Sequence, residues 1–287
     1  MMRKSLLKFF SILFILGIFT SCSKLDESIP QAPNLSTHKV GILDHDSPNF
    51  HGKLVRESSW DLIVCQSCHD ASYSGGITDA SCLTCHTQPA GPEACNTCHG
   101  DFDDPNIIAP PEDTNDNAST DSVGVGAHVH HLYENEIGSE IECSTCHKVP
   151  QDYFDPGHTD SPLPAEVIFN NLAIHNIAGN ANYVNQAATC SEVYCHGNFE
   201  FLKDSSSNQF AYTGDKMIGN KRSMVWNLVD GSQALCGSCH NLPPEGHIAA
   251  TLDACGGCHS GIVDTEGNIV DSLIHKHING EKNVFGN

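Results

Sequence analysis

The chain is poor in what an ordinary core is built from. Only 7% of its 287 residues are aromatic, two of them Trp, and only four are Met. Basic residues are scarce, 14 Lys and Arg against 35 Asp and Glu, for a formal net charge of -21. So acidic a surface disfavours nucleic acid and anionic lipid as partners and favours cationic ones. Beyond the N-terminus no apolar run is long enough to span a membrane. Nor is there spare cysteine for a disulfide framework, because 14 of the 15 fall into one recurring pattern. Long helical or strand periods are missing too, with Gly, Pro, Ser, Asn and Asp interrupting the chain every few residues.

What is abundant is Cys, Gly and His: 15, 24 and 18 residues. Six segments read C-x-x-C-H: Cys65–His69, Cys82–His86, Cys95–His99, Cys143–His147, Cys236–His240 and Cys255–His259. A seventh, CSEVYCH at Cys190–His196, keeps both cysteines and the histidine but has four residues between the thiols. Zinc ribbons do not require His after every second Cys. A thioredoxin-like motif occurs once per βαβ unit, not in an array. Iron–sulfur ligation gives no role to a following histidine.

C-x-x-C-H is the attachment signature of c-type haem. Two thiols, Cys65 with Cys68, Cys82 with Cys85, Cys95 with Cys98, Cys143 with Cys146, Cys236 with Cys239, and Cys255 with Cys258, add across the two vinyl groups of one porphyrin. The adjoining His69, His86, His99, His147, His240 or His259 then becomes the proximal iron ligand. Cys190, Cys195 and His196 form the seventh set, its longer loop able to bulge outward. Seven haems are therefore expected, each also needing a distal ligand.

Eleven histidines lie outside the motifs. The expected distal ligands are His38, His51, His128, His131, His158, His247 and His277, with His45, His130, His175 and His275 as spares. His128 and His131, three apart, would share a helix face and serve two different irons. Past the leader only Met217 and Met224 could ligate through sulfur. The supply therefore favours bis-His, low-potential centres.

The mixture of C-x-x-C-H with C-x-x-x-x-C-H resembles a family of multihaem c-type cytochromes from metal-reducing bacteria, from about His38 to the C-terminus. Similar local phrases are Ser47–Gly52, Gly126-Ala127-His128 with His131, Val193–Gly197, Pro243–His247 and His277–Gly280. The resemblance implies a covalently haem-loaded electron carrier, not an enzyme. The expected fold is that of a multihaem cytochrome c: little regular secondary structure, short helices and loops wrapped around covalently bound haems. At about 38 residues per haem, porphyrins rather than aliphatic side chains should fill the core. Residues 165–177, AEVIFNNLAIHNI, are the best helix or strand candidate.

Residues 1–21 resemble a lipoprotein-type signal peptide. They have a basic head, an apolar run too short for a membrane span, and small residues before Cys22, the expected lipidation site. Loss of Arg3, Lys4 and Lys8 with it would leave 11 basic against 35 acidic residues, or -24. Residues 22–37 read as a tether. A three-haem region is expected over 38–122, ending in an acidic linker with seven acids, Pro110-Pro111 and no Lys or Arg. A four-haem region follows over 123–287. Asp113, Asn115 and Asn117 resemble the start of a calcium loop, but Ala118 and Gly124 stand where that loop needs Gly and Glu. Lys203, Lys216, Lys221 and Arg222 hold much of the positive charge, in an excursion over 197–233.

The expected function is electron transfer between membrane or periplasmic donors and extracellular acceptors, from the outer membrane, on its periplasmic face or at the cell surface. The lipid would be the sole membrane attachment. Expected partners are other redox proteins, including other multihaem cytochromes or a porin–cytochrome conduit, and a mineral or metal acceptor. Two alternatives stand beside it. One is a multihaem reductase of a nitrogen or sulfur oxyanion with one open iron site; the other is a subunit of a haem filament.

Overall fold

The computed structural model describes residues 37–108, 112–133, 137–160 and 164–285. The expected signal peptide, Cys22 and all but the last residue of the tether lie outside the described residues. By its internal contacts the chain forms two compact units, one ending at Glu57 and the other beginning at Ser58.

The first unit is a tight loop leading into helix α1, His51–Glu57. The loop closes on the start of the helix, where the His51 amide donates to the Ile42 carbonyl at 2.9 Å. Lys53 Nζ reaches the Ser47 carbonyl at 3.2 Å. Phe50 packs on the His51 ring, centroids 4.4 Å apart.

The second unit carries α2 (Ile63–His69), α3 (His128–Leu132) and α4 (Leu252–Cys258). Its strands are β1 (Asn182–Val184), β2 (Thr189–Ser191), β3 (Glu200–Leu202), β4 (Lys216–Ile218) and β5 (Met224–Val225). They make two small antiparallel sheets, β1-β2-β5 and β3-β4. Among the described residues no helix or strand exceeds seven residues, and no helix is long and apolar enough to cross a membrane.

Regular structure is therefore as sparse as the interrupted sequence requires. Buried apolar side chains are few and spread along the chain, from Leu62 and Tyr73 to Met224 and Ile262. Met217 and Met224 are both buried in strands, opposite Phe201 and Cys190. Residues 165–177 form neither a helix nor a strand. They run extended and then make one 3-10 turn, Asn171–Ile174. Asn171 takes a left-handed backbone (φ 48°), which ends the extended stretch, as Asn tolerates better than most residues. The extended part is held because Ile168 and Asn170 donate backbone bonds to the Cys146 and Thr145 carbonyls, at 2.8 and 2.9 Å.

Candidate haem centres

Five of the six short attachment motifs fold as a single helical turn. In Cys82–His86, Cys95–His99 and Cys143–His147 the fourth and fifth residues both donate to the carbonyl of the first, at 2.9–3.4 Å. Cys65–His69 lies in α2, and Cys255–His259 ends α4. Cys236–His240 is a series of turns and bends. The physical reason is spacing: positions i, i+3 and i+4 share one helix face, so one turn presents two sulfurs and an imidazole together.

The long motif is built differently. Cys190 sits in β2, opposite Tyr183 and Met224. The chain then kinks at Glu192 (φ 57°) and closes as a 3-10 turn, Tyr194–His196. The inserted residues do not bulge outward. Val193 and Tyr194 are 5% and 7% exposed. Two apolar side chains gain more from burial than from solvent, about 1.5–3 kcal/mol each. Fully buried Asn198 fastens the kink, its amide donating to the Glu192 carbonyl at 2.8 Å.

Numbered one to seven in chain order, the long motif is site five, and it is tied to site six, Cys236–His240. The segment 219–222 lies between them: Asn220 donates its backbone N–H to the Cys239 carbonyl at 2.8 Å, and Lys221 donates to Gly197 at 3.1 Å. The Asn220 side chain donates to the Gly237 and Ser238 carbonyls. Gly197 (φ 91°) is required here, because a Cβ would stand 1.9 Å from the Cys239 oxygen.

Five proximal histidines face five of the expected distal ones. The pairs are His99 with His158, His128 with His147, His131 with His196, His240 with His277, and His247 with His259. Their ring centroids lie 6.0, 6.3, 6.1, 6.3 and 6.4 Å apart. Two imidazoles sharing one iron need about 6 Å, from metal–nitrogen bonds of ~2 Å plus the distance from each nitrogen to its ring centre. The residues therefore fit a six-coordinate haem iron. His128 and His131, both on α3, face two different proximal rings.

The hydrogen bonds agree with this role. His128 and His131 donate Nδ1–H to the Val125 and Ala127 carbonyls, both at 2.8 Å. His147 and His158 use the Glu166 and Tyr153 carbonyls, also at 2.8 Å. His240 and His247 use Asn241 and Ile248 at 2.7 Å, His259 uses Asn283 at 2.9 Å, and His277 uses Ile137. A carbonyl only accepts, so Nδ1 carries the proton and Nε2 is the lone-pair nitrogen. Burial pushes His128 and His196 down to about 4 and lowers His99, His131 and His277, which favours the neutral, ligating form.

Burial also pushes the Cys190 and Cys195 thiols up to about 12 and Cys146 to about 11, the Cys146 charge adding to the effect at both site-five thiols. A buried site thus resists a thiolate and accepts an uncharged thioether at no such cost. The Cys239 thiol adds to the upward push on Cys195.

The remaining candidates fall as follows. His69 donates Nδ1–H to the Ala80 carbonyl at 2.9 Å, and His86 meets Phe102 edge-on at 5.2 Å. In the first unit His38 is exposed, and His51 donates Nδ1–H to the Ile42 carbonyl at 3.0 Å. Of the expected spares, His45, His130 and His275 are exposed, and His175 bonds Asn176 through Nε2 at 2.8 Å and abuts Tyr194. The Asp113 carboxylate is occupied by the Asn115 and Asn117 amides, and no metal-binding group of three acidic, His or Cys side chains occurs among the described residues. The backbone carbonyls that orient the imidazoles leave no signal in sequence, so pattern reading cannot find them.

Residues 189–240 match the family described as the Geobacter CxxxxCH...CXXCH motif. The match spans sites five and six, the pair joined by segment 219–222. It is consistent with a multihaem c-type cytochrome of that family and marks both as attachment motifs for covalent c-type haem. No curated protein and no solved structure matches the chain.

Proposed function

We propose that the protein is an exported heptahaem electron carrier. The reading rests on one observation, the five imidazole pairs 6.0–6.4 Å apart, each joining an attachment-motif histidine to a histidine outside the motifs. Haem supplies the one-electron chemistry. The chain fixes ligand identity, ligand orientation and dielectric, and an all-histidine supply favours low potentials. His38 and His51 are proposed as the remaining distal ligands, in keeping with the histidine count, and the three-haem and four-haem regions meet near residue 122.

Export and anchoring through Cys22 follow from the leader. Electrons would pass from membrane or periplasmic donors to an extracellular acceptor, with cationic surfaces of redox partners or minerals favoured by the acidic charge. The test is optical and near-infrared magnetic circular dichroism of the haem-loaded protein during a redox titration. Uniformly low-spin His/His centres are expected. A high-spin or His/Met centre would overturn the all-bis-His assignment, the former reviving a reductase. Incorporation of labelled palmitate, lost in Cys22→Ala, tests the anchor.

A further inference from the structure

Trp226 stands where two of these pairs meet. It follows β5, between sites five and six, and belongs to no attachment motif. Its indole meets His128 edge-on, centroids 4.7 Å apart and planes at 84°. It also leans on His131 at 5.6 Å and 34°. These are the histidines of α3 that face His147 and His196, the proximal candidates of two consecutive sites.

The indole is held from three directions. Its Nε1–H donates to the Val123 carbonyl at 2.8 Å, and its backbone N–H to Ala188 at 2.6 Å. Neighbouring Asn227 donates to the Asp121 carbonyl at 2.7 Å. Gly126 (φ 46°) makes room for the Nε1 edge, since a Cβ there would stand 2.0 Å from Nε1.

The two imidazole pairs beside Trp226 differ in orientation. His128 and His147 are 29° from parallel, whereas His131 and His196 are crossed at 71°. Ligand-plane angle has an electronic consequence at low-spin ferric iron. Near-parallel imidazoles split the two π-type d orbitals and give a rhombic resonance. Crossed imidazoles leave those orbitals almost degenerate and give a strongly anisotropic one.

We propose that Trp226 is a positioning residue shared by two adjacent irons, holding His128 near-parallel to His147 and His131 crossed to His196. This deepens the bis-His reading and rests on it. One side chain from site five's own ribbon thereby makes neighbouring centres electronically unlike.

The experiment is electron paramagnetic resonance of the oxidised, haem-loaded full chain, with haem per chain measured on each sample. Among the described pairs, His99/His158 (28°), His128/His147 and His247/His259 (34°) should contribute rhombic signals. His131/His196 and His240/His277 (69°) should contribute strongly anisotropic ones. Trp226→Leu should move one signal of each class, keep all centres low-spin and leave the haem count unchanged. Trp226→Phe retains a ring but loses the bond to Val123, and should move them less. Gly126→Ala would bring a Cβ against the indole Nε1 edge and should disturb the same two signals.

Unchanged resonances in Trp226→Leu at full haem content would overturn the proposal. If that variant loses haem, Trp226→Phe decides: unchanged signals at full loading would overturn it equally. A wild-type spectrum without low-spin bis-His signals would instead remove the reading on which the proposal rests.

Discussion

Sites four and five carry the same set of residues, two cysteines and an adjoining histidine, in different local architecture. Cys143–His147 is one helical turn whose sulfurs and imidazole share a face because the spacing makes them do so. Cys190–His196 begins in a strand, kinks at Glu192 and ends in a turn, with Val193 and Tyr194 buried between its cysteines. A four-residue spacer cannot keep the two thiols on one helical face, so the chain abandons the helix and uses the spacer as core. In a protein with so few buried aliphatic side chains, that is a structural gain. The insertion also gives site five a ribbon, β1-β2-β5, that its shorter counterparts lack.

Several changes would break or sharpen this contrast. The largest effect is expected from removing both thiols. Cys190→Ala with Cys195→Ala should cost one haem per chain by the pyridine haemochrome assay and should destabilise the ribbon, because cofactor binding and folding are coupled. The same change at Cys143 and Cys146 should also cost one haem while leaving β1-β2-β5 intact by amide hydrogen exchange.

Deleting Glu192 and Val193 converts the long motif to the short one. If the spacer were a passive loop, nothing but the loop would change. The structure predicts instead a loss of roughly 2–5 kcal/mol by denaturant unfolding, since a buried side chain and the β2 exit geometry go together. The single change Val193→Ala should cost about 1.5–3 kcal/mol. By contrast, Ser144→Ala in the short spacer should fall within about 0.5 kcal/mol, because the Ser144 hydroxyl bonds the Glu142 carboxylate in an exposed contact.

Asn198→Ala removes the amide that holds the Glu192 carbonyl. About 1–3 kcal/mol should be lost in the same unfolding assay, with the haem count unchanged. The smallest effect belongs to Glu192→Gly. Its left-handed backbone (φ 57°) suits glycine, so relief of strain and added freedom of the unfolded chain should nearly cancel, leaving stability within about 1 kcal/mol of the parent.

The candidate attachment triads are legible in the sequence as a motif, because covalent attachment needs its partners at fixed spacing. Cys143, Cys146 and His147 announce themselves. The histidine surplus was legible as well, and five of the expected distal residues face a proximal ring. Which ring each one faces was not, since His99 with His158 and His240 with His277 are joined by loops that leave no periodic pattern. The inward turn of Val193 and Tyr194 was hidden for the same reason: burial there follows from the ribbon around it, not from a local period. Residues 165–177 misled because their apolar content suggests a regular element, whereas Asn171 and the bonds to Thr145 and Cys146 make them a strap.

The central claim is that CSEVYCH is a working attachment site in a continuous series of seven. Intact-protein mass of the periplasm-matured chain, combined with pyridine haemochrome quantitation, tests it directly. The account predicts seven haems per chain. Six, with Cys190 and Cys195 recovered as free thiols or as a disulfide, would contradict it and leave sites one to four separated from six and seven.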